Sequence, residues 1–162
     1  MKSAFLIIDM QKNLLQDQEE VMNVESACEY INHVADLFRA KNHLVIHVQD
    51  MEGANEDNSE SYSIIPEINV LEQDLCITKE HSNAFWDTKL EQILHENGVN
   101  LIVIAGFAAE HCVLFTYNGA NERGFNAVIL QHGILSTKSD VITQTYRDRN
   151  IVSYKVIPYL SE

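Results

Sequence analysis

The stretch Leu101-Ile102-Val103-Ile104-Ala105-Gly106-Phe107-Ala108-Ala109-Glu110-His111-Cys112-Val113-Leu114-Phe115-Thr116 decides the fold. Its first half is a short apolar run, β-branched at Ile102, Val103 and Ile104, that stops at Gly106, the pattern of a strand buried on both faces. Its second half opens a helix, so Cys112 falls in or just before the first helical turn. Unpaired backbone N–H groups and the positive end of the helix dipole favour thiolate over thiol there. The competing reading is a buried structural cysteine, since free cysteines are among the most buried residues.

Working outward, the same unit recurs. Residues 4–8, Ala-Phe-Leu-Ile-Ile, read as a buried strand with Asp9 at its carboxyl end and Gln11 facing the same side two positions on. Val24, Ala27, Cys28, Ile31, Val34, Ala35 and Phe38 fall three and four apart, which predicts an amphipathic helix over 24–41. Leu44 to Val48 is a second strand, carrying His47. Residues 50–60 are acidic and aperiodic, a surface loop expected to be mobile, whose Asp50 and Glu52 read as solvated carboxylates rather than metal ligands. Leu75 to Thr78 is a third strand with Lys79 directly after it. Phe85 and Trp86 lie in the loop 80–87, and Thr88 with Glu91 matches a capping box for a helix stopped by Gly98. The helix that opens at Cys112 runs to Gly124, and Asn126 to Leu130 is strand five, with Gln131, His132 and Gly133 at its carboxyl end. A helix over 140–149 and a last strand from Ile151 to Ile157 finish the pattern.

Strands alternating with helices at this spacing imply right-handed crossovers and a parallel sheet covered on both faces. The expectation is one α/β domain over 1–162: three αβα layers, Rossmann-like and doubly wound, around a six-stranded parallel sheet of order 3-2-1-4-5-6. Asp9, Lys79 and Cys112 then share the edge formed by the strands' carboxyl ends. In that order strands one and four meet at the switch point, and Asp9 faces Cys112 across the crevice.

With 24 acidic and 11 basic side chains among 162 residues, the net charge of -13 opposes binding to nucleic acid or an anionic membrane. A small-molecule substrate is the expected partner. The apolar run Phe5 to Ile8 is too short for a signal peptide and no run reaches membrane-spanning length, so the protein is expected to be cytoplasmic. Cys28, Cys76 and Cys112 are an odd set without close pairing, which argues for reduced thiols. Cys28 and Cys76 read as core residues.

Three pieces carry a family resemblance: Ile7-Ile8-Asp9-Met10-Gln11, Lys79-Glu80-His81-Ser82-Asn83-Ala84-Phe85-Trp86-Asp87-Thr88-Lys89-Leu90, and Ala105 through Thr116. In order and spacing they resemble the isochorismatase-like cysteine hydrolase superfamily, which includes nicotinamidases and N-carbamoylsarcosine amidases. The resemblance implies a catalytic triad of Asp9, Lys79 and Cys112 and a cis peptide joining Phe107 to Ala108. It also implies an oxyanion hole from the backbone N–H groups of Ala108 and Cys112, no cofactor, and homo-oligomers of dimeric or larger size. Gln11, Phe85, Trp86 and His132 are candidate pocket residues, and Tyr117 is a further possible wall.

Departures narrow the substrate. Nicotinamidases carry an Asp-x-His pair and a further His for a metal; here the pair reads Asp50-Met51-Glu52 and the further His is missing, so no metal is expected. Gln131-His132 replaces the family's common Asp-Ala after strand five, and the loop after strand two is short. Members that cleave isochorismate lack the cysteine, so Cys112 argues against that reaction. The leading expectation is a metal-independent cysteine hydrolase of a small amide, imide or carbamoyl compound, working through a thioester. Its rivals are a non-catalytic binding or scaffold protein of the same fold, a nicotinamidase-type amidase with an atypical metal site, and a thiol redox protein.

Overall fold

Along Lys2–Ile8 (β1), Ala4, Leu6 and Ile8 point into one hydrophobic cluster while Phe5 and Ile7 point into another. A strand whose two faces are both apolar has to lie between two layers of helices. Val99–Phe107 (β4) alternates in the same way, with Ile102 and Ile104 on one side and Val103 and Ala105 on the other. The computed structural model describes residues 2–160; residues 1, 161 and 162 of the expected 1–162 domain lie outside the described residues. The other strands are Leu44–Asp50 (β2), Leu75–Lys79 (β3), Asn126–Leu135 (β5) and Ile151–Val152 (β6). All six form one parallel sheet in the order β3-β2-β1-β4-β5-β6, as the sequence pattern predicts.

Lys12–Leu15 (α1), Glu19–Met22 (α2) and Val24–Ala40 (α3) cover one face. Leu90–Glu96 (α4), Cys112–Glu122 (α5) and Ser139–Asp148 (α6) cover the other. The inward stripe of α3 is the predicted one, Val24 through Phe38, all buried. Among the described residues no helix is long and apolar enough to cross a membrane.

Four local expectations are corrected. β5 continues past Leu130 to Leu135, because His132 adopts a left-handed conformation (φ 66°) and the pairing with β4 jumps from Ile104–Ile129 to Gly106–Ile134. That is a bulge, which lets a strand continue through residues that do not fit its period. The last strand is only Ile151–Val152; Ser153 then accepts a hydrogen bond from the Lys155 N–H and starts a 3-10 turn over Tyr154–Tyr159. The capping box is half formed. Thr88 Oγ1 accepts from the Leu90 N–H at 3.2 Å, but Glu91 turns away to pair with Arg123 Nε at 3.0 Å. Cys76 is exposed, since β3 is an edge strand.

Candidate active site

The carboxyl ends of β1, β2 and β3 are locked together by main-chain bonds: the Asp9 N–H donates to the Val48 carbonyl at 2.9 Å and the Met51 N–H to the Lys79 carbonyl at 2.8 Å. Asp9 leaves β1 with φ 54°, a left-handed conformation that Asp tolerates better than most residues. Gly106 passes so near β1 that a Cβ there would sit 2.0 Å from the Ile8 carbonyl oxygen, and its φ is 113°. Only glycine meets both conditions. That close approach brings the loop after β4, and with it the start of α5, beside Asp9.

Lys79 is the centre of the site. Its ammonium lies 3.0 Å from Asp9 Oδ2, 2.9 Å from Asp50 Oδ2 and 3.5 Å from Cys112 Sγ, so each of its three N–H bonds has an acceptor. The Lys79 and Asp9 side chains are essentially inaccessible, whereas Asp50 keeps 23% exposure. Burial pushes the Asp9 carboxyl above its usual range, although Lys79 and the neighbouring Cys112 thiol pull the other way. Burial, reinforced by Asp9, pushes the Cys112 thiol from the ordinary 9.0 up to about 12 against the pull of Lys79. Burial works against the Lys79 charge too, yet Asp9, Asp50 and Cys112 together hold its pKa above normal. The resting sulfur is therefore a thiol. The helix-start position alone favours thiolate, but burial and a neighbouring carboxylate outweigh it here.

The peptide between Phe107 and Ala108 is cis. After it the chain turns tightly, with the His111 and Val113 N–H groups both donating to the Ala108 carbonyl. Among the described residues neither the Ala108 nor the Cys112 N–H has a partner within the protein. Unpaired main-chain donors of this kind are what an oxyanion needs.

The candidate pocket residues separate. Gln11 is fully buried: its amide nitrogen donates to the Asp50 and Tyr62 carbonyls, both at 2.9 Å, and its oxygen accepts from the Asp50 N–H at 2.7 Å. Phe85 is core, stacked on Phe125 at 6.0 Å beneath the Arg123 guanidinium. Trp86 is 59% exposed and lies against His81. His132 packs between Tyr30 and Tyr146, whose hydroxyl accepts from the His132 N–H at 2.7 Å. Tyr117 is buried, its hydroxyl accepting from the Asn150 N–H. The loop that carries Phe85 still serves the site. The Ala84 N–H donates to buried Thr116 Oγ1 at 3.0 Å, which ties the segment after Lys79 to the cysteine helix.

Sequence reasoning missed Asp50, which it placed in a solvated loop. The structure makes it the last residue of β2, in register with Lys79. The signal lay in the strand pattern, since Leu44, Ile46 and Val48 set a period that continues through Asp50. The donor atoms of Asp9, Asp50 and Cys112 lie within 4.8 Å of one another, close enough for a shared cation. That cation is Lys79, bonded to all three. Asp50 is bonded to the ammonium, and Glu52 contributes its backbone N–H to Asp50 Oδ1 rather than its carboxylate.

Residues 3–147 match the isochorismatase domain model. The chain belongs to the isochorismatase family. Among relatives of this isochorismatase-family hydrolase, the secreted isochorismatase effector Isc1 of Verticillium dahliae is 26% identical over 136 residues, covering 82% of this chain and 72% of its own. Maleamate amidohydrolase of Pseudomonas putida is 27% identical over 67 residues, 41% of this chain and 32% of its own. An isochorismatase-like hydrolase from Alkaliphilus metalliredigens superposes with a TM-score of 0.86 at 18% identity, covering 99% of this chain and 100% of the other. N-carbamoylsarcosine amidase from Thermoplasma acidophilum superposes with a TM-score of 0.79 at 19% identity, covering 94% and 95%. These two likenesses concern the isochorismatase fold.

Proposed function

We propose that this hydrolase cleaves a small amide, imide or carbamoyl compound through a thioester on Cys112, with no metal in the reaction. The observation that carries the reading is the ammonium of Lys79 held 3.0 Å from Asp9 and 3.5 Å from the Cys112 sulfur. Asp9, kept more basic than an ordinary carboxylate by burial, accepts the proton of the Cys112 thiol, and Lys79 offsets the negative charge left on sulfur. The thiolate adds to the carbonyl carbon, and the oxyanion takes hydrogen bonds from the Ala108 and Cys112 N–H groups. Asp9 returns its proton to the departing nitrogen as the C–N bond breaks. Water then enters, loses a proton to Asp9 and attacks the thioester; the acid leaves, and the proton returns to sulfur. Among the described residues Asp9 Oδ1 is buried without a hydrogen-bond partner, which leaves it for this traffic while Oδ2 stays on Lys79. The maleamate amidohydrolase relative supports an amide as the reacting group.

The test is acid-quenched intact mass spectrometry of the protein mixed with a panel of small amides and ureido acids, alongside an ammonia assay. An acyl adduct on Cys112, absent from Cys112→Ala, and ammonia release that disappears with it are expected. Equal ammonia release from Cys112→Ala would overturn the reading.

A further inference from the structure

We propose that Asp50 is a positioning residue for the reaction: by sharing the Lys79 ammonium with Asp9, it sets how tightly the Asp9–Cys112 pair holds its proton. The inference rests on the reading of Cys112 as nucleophile. Its basis is geometric. Asp50 is bonded to Lys79 at 2.9 Å, as close as Asp9 at 3.0 Å, yet it belongs to a different strand and does not share the burial of Asp9.

The structure fixes Asp50 more firmly than an incidental surface acid requires. Both main-chain groups of Asp50 are held by the buried Gln11 side chain, and its Oδ1 accepts from the Glu52 N–H at 3.0 Å. Gln11 lies two residues after Asp9, so one short segment carries the proton acceptor and the clamp for the second carboxylate. The register of β2 against β3 pairs Asp50 with Lys79 directly.

Among the described residues, the charged and titratable groups facing the ammonium are Asp9 just after β1, Asp50 from β2 and Cys112 from α5. With two carboxylates around one ammonium the cluster carries a net negative charge, which opposes a further negative charge on sulfur or on Asp9. Asp50 accordingly raises the Asp9 carboxyl, as burial does more strongly. Without Asp50, Lys79 would act on Asp9 and Cys112 alone. The thiol would ionise more readily, and Asp9 would become a poorer acceptor for the proton it must carry to the leaving nitrogen. In the native site Asp50 therefore keeps the proton within the pair between turnovers and available for the nitrogen.

The test is the pH dependence of Cys112 alkylation by iodoacetamide, followed by peptide mass spectrometry, in wild type, Asp50→Asn, Asp50→Glu and Asp9→Asn. The midpoint is expected to fall by about one unit in Asp50→Asn, a tenfold change in the ionisation constant, and to stay near wild type in Asp50→Glu, which restores the charge. Asp50→Ser removes the same charge with a smaller side chain and is read in the same way if Asp50→Asn does not fold. An unchanged or higher midpoint in a folded neutral variant overturns the inference. The two failures are distinguishable: if Asp9→Asn also leaves the midpoint unchanged, the nucleophile reading fails, whereas a shift in Asp9→Asn with none in Asp50→Asn removes the role of Asp50 alone. A merely structural role would lower thermal stability without moving the midpoint.

Discussion

Lys79 and Asp50 stand opposite each other in the parallel pairing of β2 with β3, and their side chains close at 2.9 Å. The ammonium is thereby fixed from its own neighbouring strand before it reaches across to Asp9 and Cys112. Its removal should be felt in stability as well as chemistry.

Lys79→Met leaves the inaccessible Asp9 carboxylate without its counter-charge. Breaking a buried ion pair from one side costs about 3 to 5 kcal/mol, so the urea midpoint should drop by that equivalent at neutral pH. Because the Asp9 carboxyl is already raised by burial, losing Lys79 raises it further. Part of the loss should be recovered as the pH is lowered and Asp9 takes up a proton. Urea titrations at several pH values read both effects.

Alkaline pH gives a second outcome. The Cys112 thiol titrates near 9.0 in the unfolded chain and is pushed up to about 12 in the folded one. Between those values the folded state holds a proton that the unfolded state has lost, so stability falls as pH rises. The slope approaches about 1.4 kcal/mol per pH unit for one such group. Cys28 behaves similarly, raised to about 12 by burial, and remains in both proteins when wild type is compared with Cys112→Ala. The difference in slope above pH 9.0 should therefore be that of one thiol.

Gly106→Ala forces a Cβ to within 2.0 Å of the Ile8 carbonyl oxygen at a backbone φ of 113°. Backbone, not a movable side chain, is the obstacle. The variant should lose about 3 kcal/mol or more, measured by chemical denaturation, and lose Cys112-dependent turnover because β4 and the cysteine turn are pushed off β1.

Asp74 ties the loop before β3 to α3 and β2. Its carboxylate takes Arg39 Nε at 2.9 Å and an Arg39 guanidinium nitrogen at 2.6 Å, and it meets His47 Nε2 at 3.1 Å. Burial works against its charge, but Arg39, the Leu71 N–H and His47 hold its pKa below normal. The sign follows: this stabilisation is present above the ordinary 3.8 and is lost as pH falls through the lowered value. Asp74→Ala should cost about 3 kcal/mol at neutral pH and flatten the acid limb of the stability profile, as denaturation at pH 3 to 7 would show.

Much of this was legible in the chain. Apolar runs ending in Asp9, Lys79 and Gly106 announce strands whose ends share an edge, and the alternation of elements makes the sheet parallel. Residues whose role depends on the partner strand were harder to read. Asp50 looks solvated when only its acidic neighbours in sequence are considered, and its partner Lys79 is 29 residues away. Phe85 and Trp86 are adjacent, yet one is stacked in the core and the other is exposed, a difference set by Phe125 and Arg123 arriving from distant segments. His132 reads as a strand end in the sequence, whereas the bulge at this position carries the strand onward, with the ring packed on Tyr30.

The groups around the sulfur are brought together across 70 residues for Lys79 and Asp9 and 33 for Lys79 and Cys112. None of them is a neighbour of another along the chain. While the polypeptide is still emerging or only partly collapsed, its cysteine is an ordinary thiol. The proposed proton relay from sulfur to Asp9 can exist only once the sheet has closed, and unfolding erases it at once.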